Sequence, residues 1–309
     1  MDVVVLFFLL GLGAGLLRSE LKLPAALYDS LSLVLLLAIG LKGGEGLAKQ
    51  ALAPLVPQLL TVIALGVVQT LVAYAVLKRR LPRADAASVA AHYGSVSVAT
   101  YAVGSNWLAT RGIEFEPQLA VFLTVMEVPA IVVGIVLARG LSAQTDWKAL
   151  AHEAFLGKGV TLLIGGLLIG WAAGPQGLEP IKPLFGDLFK GALALFLLEM
   201  GLIVARQGAD LKRSGLFLGL FALGMPLASA AAGLACGQLL GLSVGGTTLL
   251  ATLAASASYI AVPATMRLAI PEANPALSLS AVLGVTFPFN IIVGVPLYHQ
   301  AARALAGAP

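Results

Sequence analysis

Long apolar runs separated by short polar clusters dominate the chain. A transmembrane helix needs about 20 predominantly apolar residues. On that measure the pattern predicts ten spans, at about 3–17, 25–41, 52–77, 85–109, 117–138, 158–174, 184–205, 215–239, 245–268 and 276–302. Polar punctuation falls at Arg18 to Lys22, Lys42 to Lys49, Lys78 to Arg83, Arg111 to Glu116, Arg139 to Lys158, Glu179 to Lys182 and Arg206 to Arg213. The fold expected is therefore an all-α integral membrane protein of about ten transmembrane helices. Met1-Asp2 precedes the first run without the basic region of a signal peptide, so that run is expected to stay as a span.

The pattern also repeats. Ala38-Ile39-Gly40-Leu41 in the second span is echoed by Glu199-Met200-Gly201-Leu202 in the seventh. Arg111, Glu116-Pro117, Pro129 and Gly134 are followed in the same order by Arg267, Asn274-Pro275, Pro288 and Gly294, with separations drifting only from 156 to 160 residues. Five spans per half is an odd number, so the second half enters the membrane from the opposite side, and the repeat is inverted. This gives a first repeat over 1–139, a linker over 140–157 and a second repeat over 158–309. Trp147 in the linker is a candidate interfacial anchor.

Composition sharpens this picture. Of 309 residues, 59% are hydrophobic and only 11% charged, and the mean hydropathy is +0.96, too little charge to coat a water-facing domain. The net charge of +4 does not point to nucleic acid, because the basic residues stand at the ends of apolar runs. Loops after odd-numbered spans hold 13 Lys and Arg against 5 on the other side, with Lys190 inside a span. The positive-inside rule then places the odd loops in the cytoplasm and both termini outside a bacterial inner membrane. The lone Cys236 can form no intrachain disulfide. The sequence has no P-loop, HExxH, His/Cys metal spacing or GxSxG, so neither an ATP site nor an enzyme's constellation is legible.

The chemistry concentrates in two equivalent places. The fourth span reads Gly94-Ser95-Val96-Ser97-Val98-Ala99-Thr100-Tyr101, and the ninth reads Ala254-Ala255-Ser256-Ala257-Ser258-Tyr259-Ile260-Ala261-Val262-Pro263. Both are rich in small residues and hydroxyls, and Pro263 is expected to break the second. Backbone freed in hydrocarbon costs several kcal/mol per unpaired group, so a break there needs polar partners or a ligand. Half-helix N-termini attract anions, while freed carbonyls and hydroxyls suit Na⁺. Two discontinuous helices crossing near the midplane would hold both. The competing reading is that these hydroxyls bond back to the preceding turn and aid packing. Of the ionisable residues inside spans, Glu127 and Glu199 are the deep ones, able to bind a cation, carry a proton or sit neutral; His92 reads as a packing or hydrogen-bonding residue, and Asp29, Asp187 and Lys190 as interfacial.

The sequence resembles the sodium-dependent bicarbonate transporters of cyanobacteria and their bacterial relatives. The residues carrying the resemblance are Leu23-Pro24 through Gly40-Leu41-Lys42-Gly43-Gly44, Gly94 to Thr100 with Gly112-Ile113-Glu114-Phe115-Glu116, Glu127-Val128-Pro129-Ala130 and Ala255 to Tyr298. It implies a five-plus-five inverted fold, a homotrimer, and bicarbonate held between the broken helices with Na⁺ as coupling ion and no other cofactor. Carried over, the anion site is Ser97, Val98, Ala99 and Thr100 with Ser258, Tyr259, Ile260 and Ala261. Ser95, Ser256 and Glu127 fall to the cation. The family pattern Ser-Gly-Ser-Thr is Ser97-Val98-Ala99-Thr100 here, and Tyr259 replaces an acidic residue. Glu199 and His92 are then candidate proton or compensating charge sites. The long cytoplasmic insertion of some members is absent, which argues against their PII-like regulatory partner. Alternatives are transport of another small anion or a carboxylate with H⁺ coupling, or a membrane anion sensor that does not transport.

Overall fold

The computed structural model describes residues 2–49, 54–140, 148, 152 and 156–307, without the side chains of 208–214. The described residues are 83% helical with no strand, an all-α fold. Six helical stretches among them are long and apolar enough to cross a membrane: Ala25–Leu47, Leu55–Leu77, Leu119–Arg139, Lys158–Ile181, Gly215–Leu239 and Pro275–Leu305. In chain order the helices are α1 (Val3–Leu16), α2 (Ala25–Leu47), α3 (Leu55–Leu77), α4 (Arg83–Gly94), α5 (Val98–Ala109) and α6 (Leu119–Arg139). Then follow α7 (Lys158–Leu178), α8 (Phe189–Leu239), α9 (Val244–Ala254), α10 (Ala261–Ala269) and α11 (Pro275–Leu305).

Two boundaries differ from the sequence pattern. The stretch from Arg206 to Arg213, expected as a loop, is wound into α8, and the chain bends at Gly215, whose φ of 80° suits a residue without a β-carbon. Ala, Leu, Lys and Arg are good helix formers, so polarity there marks the end of the apolar limb rather than of the helix. Likewise α2 continues past residue 41 to Leu47, which puts Lys42 and Glu45 on its last turns, and Lys49 pairs with Glu45 at 3.0 Å. The expected anchor Trp147 lies outside the described residues.

Close backbone approach organises the bundle. On α1 and the first limb of α8, a β-carbon on Gly11 would strike the Leu198 carbonyl, and one on Gly201 the Phe8 carbonyl. On α2 and α7, one on Gly166 would meet the Leu37 carbonyl at 3.1 Å, and one on Gly40 the Leu163 carbonyl at 2.7 Å. Where lipid and side chains are equally apolar, such close packing is what binds helix to helix. Two carboxylates tie the remaining helices. Glu116 accepts from the Ser243 amide at 2.6 Å and its hydroxyl at 3.2 Å, joining the start of α9 to the turn before α6. Asp85 accepts from the Asn274 amide at 2.7 Å, joining the start of α4 to the turn before α11. Within α11, π-helical winding over Val282–Thr286 and Asn290–Gly294 flanks Pro288, whose ring and missing N–H a regular helix interior would not accommodate.

Candidate functional site

The first interruption separates α4 from α5. Ser95 and Ser97 are extended, with ψ of 179° and 118°. No proline forces this; hydroxyls supply the alternative partners that a helix would otherwise provide. The Ser95 hydroxyl donates to the Glu127 carbonyl at 3.3 Å, and the Ser97 hydroxyl caps α5 by accepting from the Thr100 amide at 3.2 Å.

The second interruption separates α9 from α10, and other helices satisfy much of it. The Ser256 hydroxyl donates back to the Leu253 carbonyl at 2.7 Å. Gln69 of α3 donates to the Ala254 carbonyl at 3.2 Å, and Asn290 of α11 to the Ala255 carbonyl at 2.8 Å while accepting from the Tyr298 hydroxyl at 2.7 Å. These two amides were missed in the sequence; each is an amide side chain set within an apolar run, the signal that would have found it. Pro263, expected to make the break, does not sit in it. It is the third residue of α10, where a missing N–H leaves no gap in the ladder. The freed carbonyls, not the proline, mark the interruption.

The two interruptions cross and bond to one another. The Ser97 amide donates to the Ser256 hydroxyl at 2.9 Å, and the Ser258 amide to the His92 carbonyl at 2.9 Å. The cap of α10 lies near the start of α5, with Ile260 at the cap position making no side-chain cap bond. Val98, Ala99 and Ile260 share a pocket of about 20 Å³ with Ser32 of α2 and Phe196 of α8, room for about one water.

Around the crossing, several buried polar atoms lack a hydrogen-bond partner: Glu127 Oε2, His92 Nε2, Glu199 Oε2 and the Tyr259 hydroxyl. Glu127 is 4% exposed, and its carboxylate extends toward Gly159 of α7. His92 Nδ1 lies 2.7 Å from the Ser88 carbonyl, which can only accept, so that nitrogen carries the proton. The Tyr259 ring packs edge-on against Phe287 at 5.6 Å. Its hydroxyl faces Ser97. Glu199 stands one turn beyond Phe196, beside Leu23, Tyr28 and Arg206. Of the sequence candidates, Ser97, Val98, Ala99, Thr100, Ser256, Ser258, Tyr259, Ile260 and Ala261 thus gather at the crossing. Ser95, Glu127 and His92 border it, and Glu199 lies to one side.

Crossed, interrupted helices inside an apolar helical bundle define a membrane protein of the transporter class. A family model described as the Na⁺-dependent bicarbonate transporter superfamily matches residues 3–303, and the chain belongs to that superfamily. A search of curated proteins gives no match.

Proposed function

We propose that the chain is a secondary transporter of a small anion, bicarbonate with Na⁺ as coupling ion, with the anion held between the N-termini of α5 and α10. The observation that carries this is that two half-helix N-termini border one small pocket, one of them without a side-chain cap. The anion's donors would be the first amides of each half-helix together with Ser97, Thr100, Ser258 and Tyr259.

Magnitudes favour a coupled cation. Each helix terminus offers an anion about 0.3–1 kcal/mol, rising to about 2 in partly buried geometry. Burying the ion costs several kcal/mol. Two termini alone therefore fall short, and a cation beside the anion, its own desolvation met by oxygen ligands, would supply the rest. Ser95, Ser256 and the Glu127 carboxylate are the ligands we assign to it.

The architecture we propose is ten spans in two inverted halves, 1–139 and 158–309, joined by 140–157, with α4/α5 and α9/α10 each forming one broken span. Matched contacts support it. Gly40 on Leu163 and Gly201 on Phe8 are equivalent under the repeat, as are Gly166 on Leu37 and Gly11 on Leu198. The Glu116–Ser243 and Asp85–Asn274 ties correspond in the same way. The Lys and Arg bias supports termini on the outer face of a bacterial inner membrane. A trimer, and a PII-like regulator, rest on the resemblance alone.

Uptake of labelled bicarbonate into proteoliposomes, with and without an inward Na⁺ gradient, tests the reading. Gradient-driven uptake is expected; absence of uptake under both conditions overturns it. A second reading, H⁺ coupling, is favoured by the unpartnered Glu127 Oε2 and by Tyr259 where the family is acidic. Under it a pH gradient drives uptake in place of Na⁺, and Glu127→Gln abolishes the pH-driven component.

A further inference from the structure

A cavity of about 610 Å³ lies apart from the crossing. It opens between the last turns of α2, the end of α5, the turn at 112–117 and the segment before α8. Its volume falls in the range of small-molecule sites. Lys42, Lys49, Lys190, Glu45 and Glu114 line it. Lys49 is engaged by Glu45 at 3.0 Å, which leaves exposed Lys42 and Lys190 facing Glu114, a surplus of one positive charge between low-dielectric walls.

The floor of this cavity is informative. Ala38 and Ile39 of α2 and Tyr101 of α5 line it, with Ile39 5% and Tyr101 4% exposed. One helical turn further along the same two helices, Leu35, Val98 and Ala99 line the pocket at the crossing. A turn rises about 5.4 Å, so little more than the Ile39 and Tyr101 side chains divides the two spaces. From the opposite end of α4, the pocket bounded by Ser88, His92, Pro263 and Arg267 has only about 10 Å³, at the lower limit for a single water. Of these two flanking spaces, the one floored by Ile39 and Tyr101 is by far the larger.

We propose that this cavity is the outer entry vestibule for the anion. Lys42 and Lys190 concentrate a small oxyanion at its mouth, and Ile39 with Tyr101 forms the barrier it passes to reach the crossing. This rests on the transporter reading and on the outward orientation proposed above. Focusing by charged clefts raises local anion concentration and association rate without needing a tight contact, so the lysines act on KM rather than on turnover.

A test that does not depend on bicarbonate uses thiol labelling. In a Cys236→Ser background, Ser105→Cys places a thiol on the vestibule wall. An anionic methanethiosulfonate added from outside is expected to modify it faster than a cationic one, relative to each reagent's rate with a free thiol. Lys42→Gln with Lys190→Gln should reduce that preference by about threefold to tenfold. A cysteine at Ser32, beside the crossing, should be shielded in this background and become reactive with Tyr101→Ala or, as a milder second variant, Ile39→Ala. In proteoliposomes the double lysine variant should raise KM for bicarbonate with kcat unchanged. Labelling of Ser105→Cys only from the inside, or a charge preference indifferent to both lysines, overturns the proposal. Lysine-dependent labelling with no bicarbonate flux leaves the vestibule standing and removes the substrate assignment instead.

Discussion

The two interruptions occupy equivalent places in the chain but are built differently. The first supplies its own hydroxyls: Ser97 caps α5, and Ser95 donates to the Glu127 carbonyl of α6. The second borrows its partners. Gln69 and Asn290, from α3 and α11, take the carbonyls freed at the end of α9, and α10 begins with Ile260, which has no side-chain oxygen to offer. The first break thus supplies its own helix cap, while the second takes side-chain amides from other helices. A terminus without a cap also remains available for a ligand, so the second half of the site has the larger stake in the anion.

Removing a borrowed partner should do the most damage. Asn290→Leu leaves the Ala255 carbonyl and the Tyr298 hydroxyl without their buried partner at once. Each orphaned group costs about 1–3 kcal/mol, so a loss of about 2–6 kcal/mol is expected, read as a lowered unfolding temperature in detergent together with lost uptake. Gln69→Leu orphans only the Ala254 carbonyl, at 3.2 Å the longer bond, and should cost about 1–3 kcal/mol. If these two variants proved no worse than a substitution in the first break, the contrast between the breaks would fail.

In the first break the equivalent change is milder. Ser97→Ala removes the α5 cap, and loss of a serine cap costs about 1 kcal/mol. The Ser97 amide still donates to Ser256, so the crossing should survive. The expected signature is a small fall in stability with a raised KM for the anion. A collapse of the fold comparable to Asn290→Leu would show that the first break depends on its cap as heavily as the second depends on its neighbours.

What the sequence disclosed follows from the same physics. The all-α membrane fold and both serine-rich segments were legible, because lipid demands long apolar stretches and tolerates hydroxyl clusters only where backbone must be satisfied. The agents of the second break were not. Gln69 and Asn290 lie far from Ala255 in the chain, and only folding brings their amides to its carbonyls. Pro263 misled for a related reason: proline marks a helix start as readily as a helix end, and here it stands in the first turn of α10. Helix limits at Lys42 and Arg206 were misjudged because polarity ends an apolar span without ending a helix.

The smallest expected effect is also the most discriminating. Ile260→Ser places a hydroxyl at the α10 cap position, where it can accept from an amide of the first turn once the residue relaxes from its ψ of −64° toward the extended backbone of a cap. A serine cap contributes about 0.5–1 kcal/mol, so the protein should become slightly more stable, read as a modest rise in unfolding temperature. The same hydroxyl would then occupy a donor that the anion needs, and KM should rise while stability improves. Opposite signs in the two measurements separate a ligand's terminus from a merely untidy one. Were the cap to raise stability with KM unchanged, the α10 terminus would be an ordinary uncapped helix start, and the anion would have to be bound from the α5 side alone.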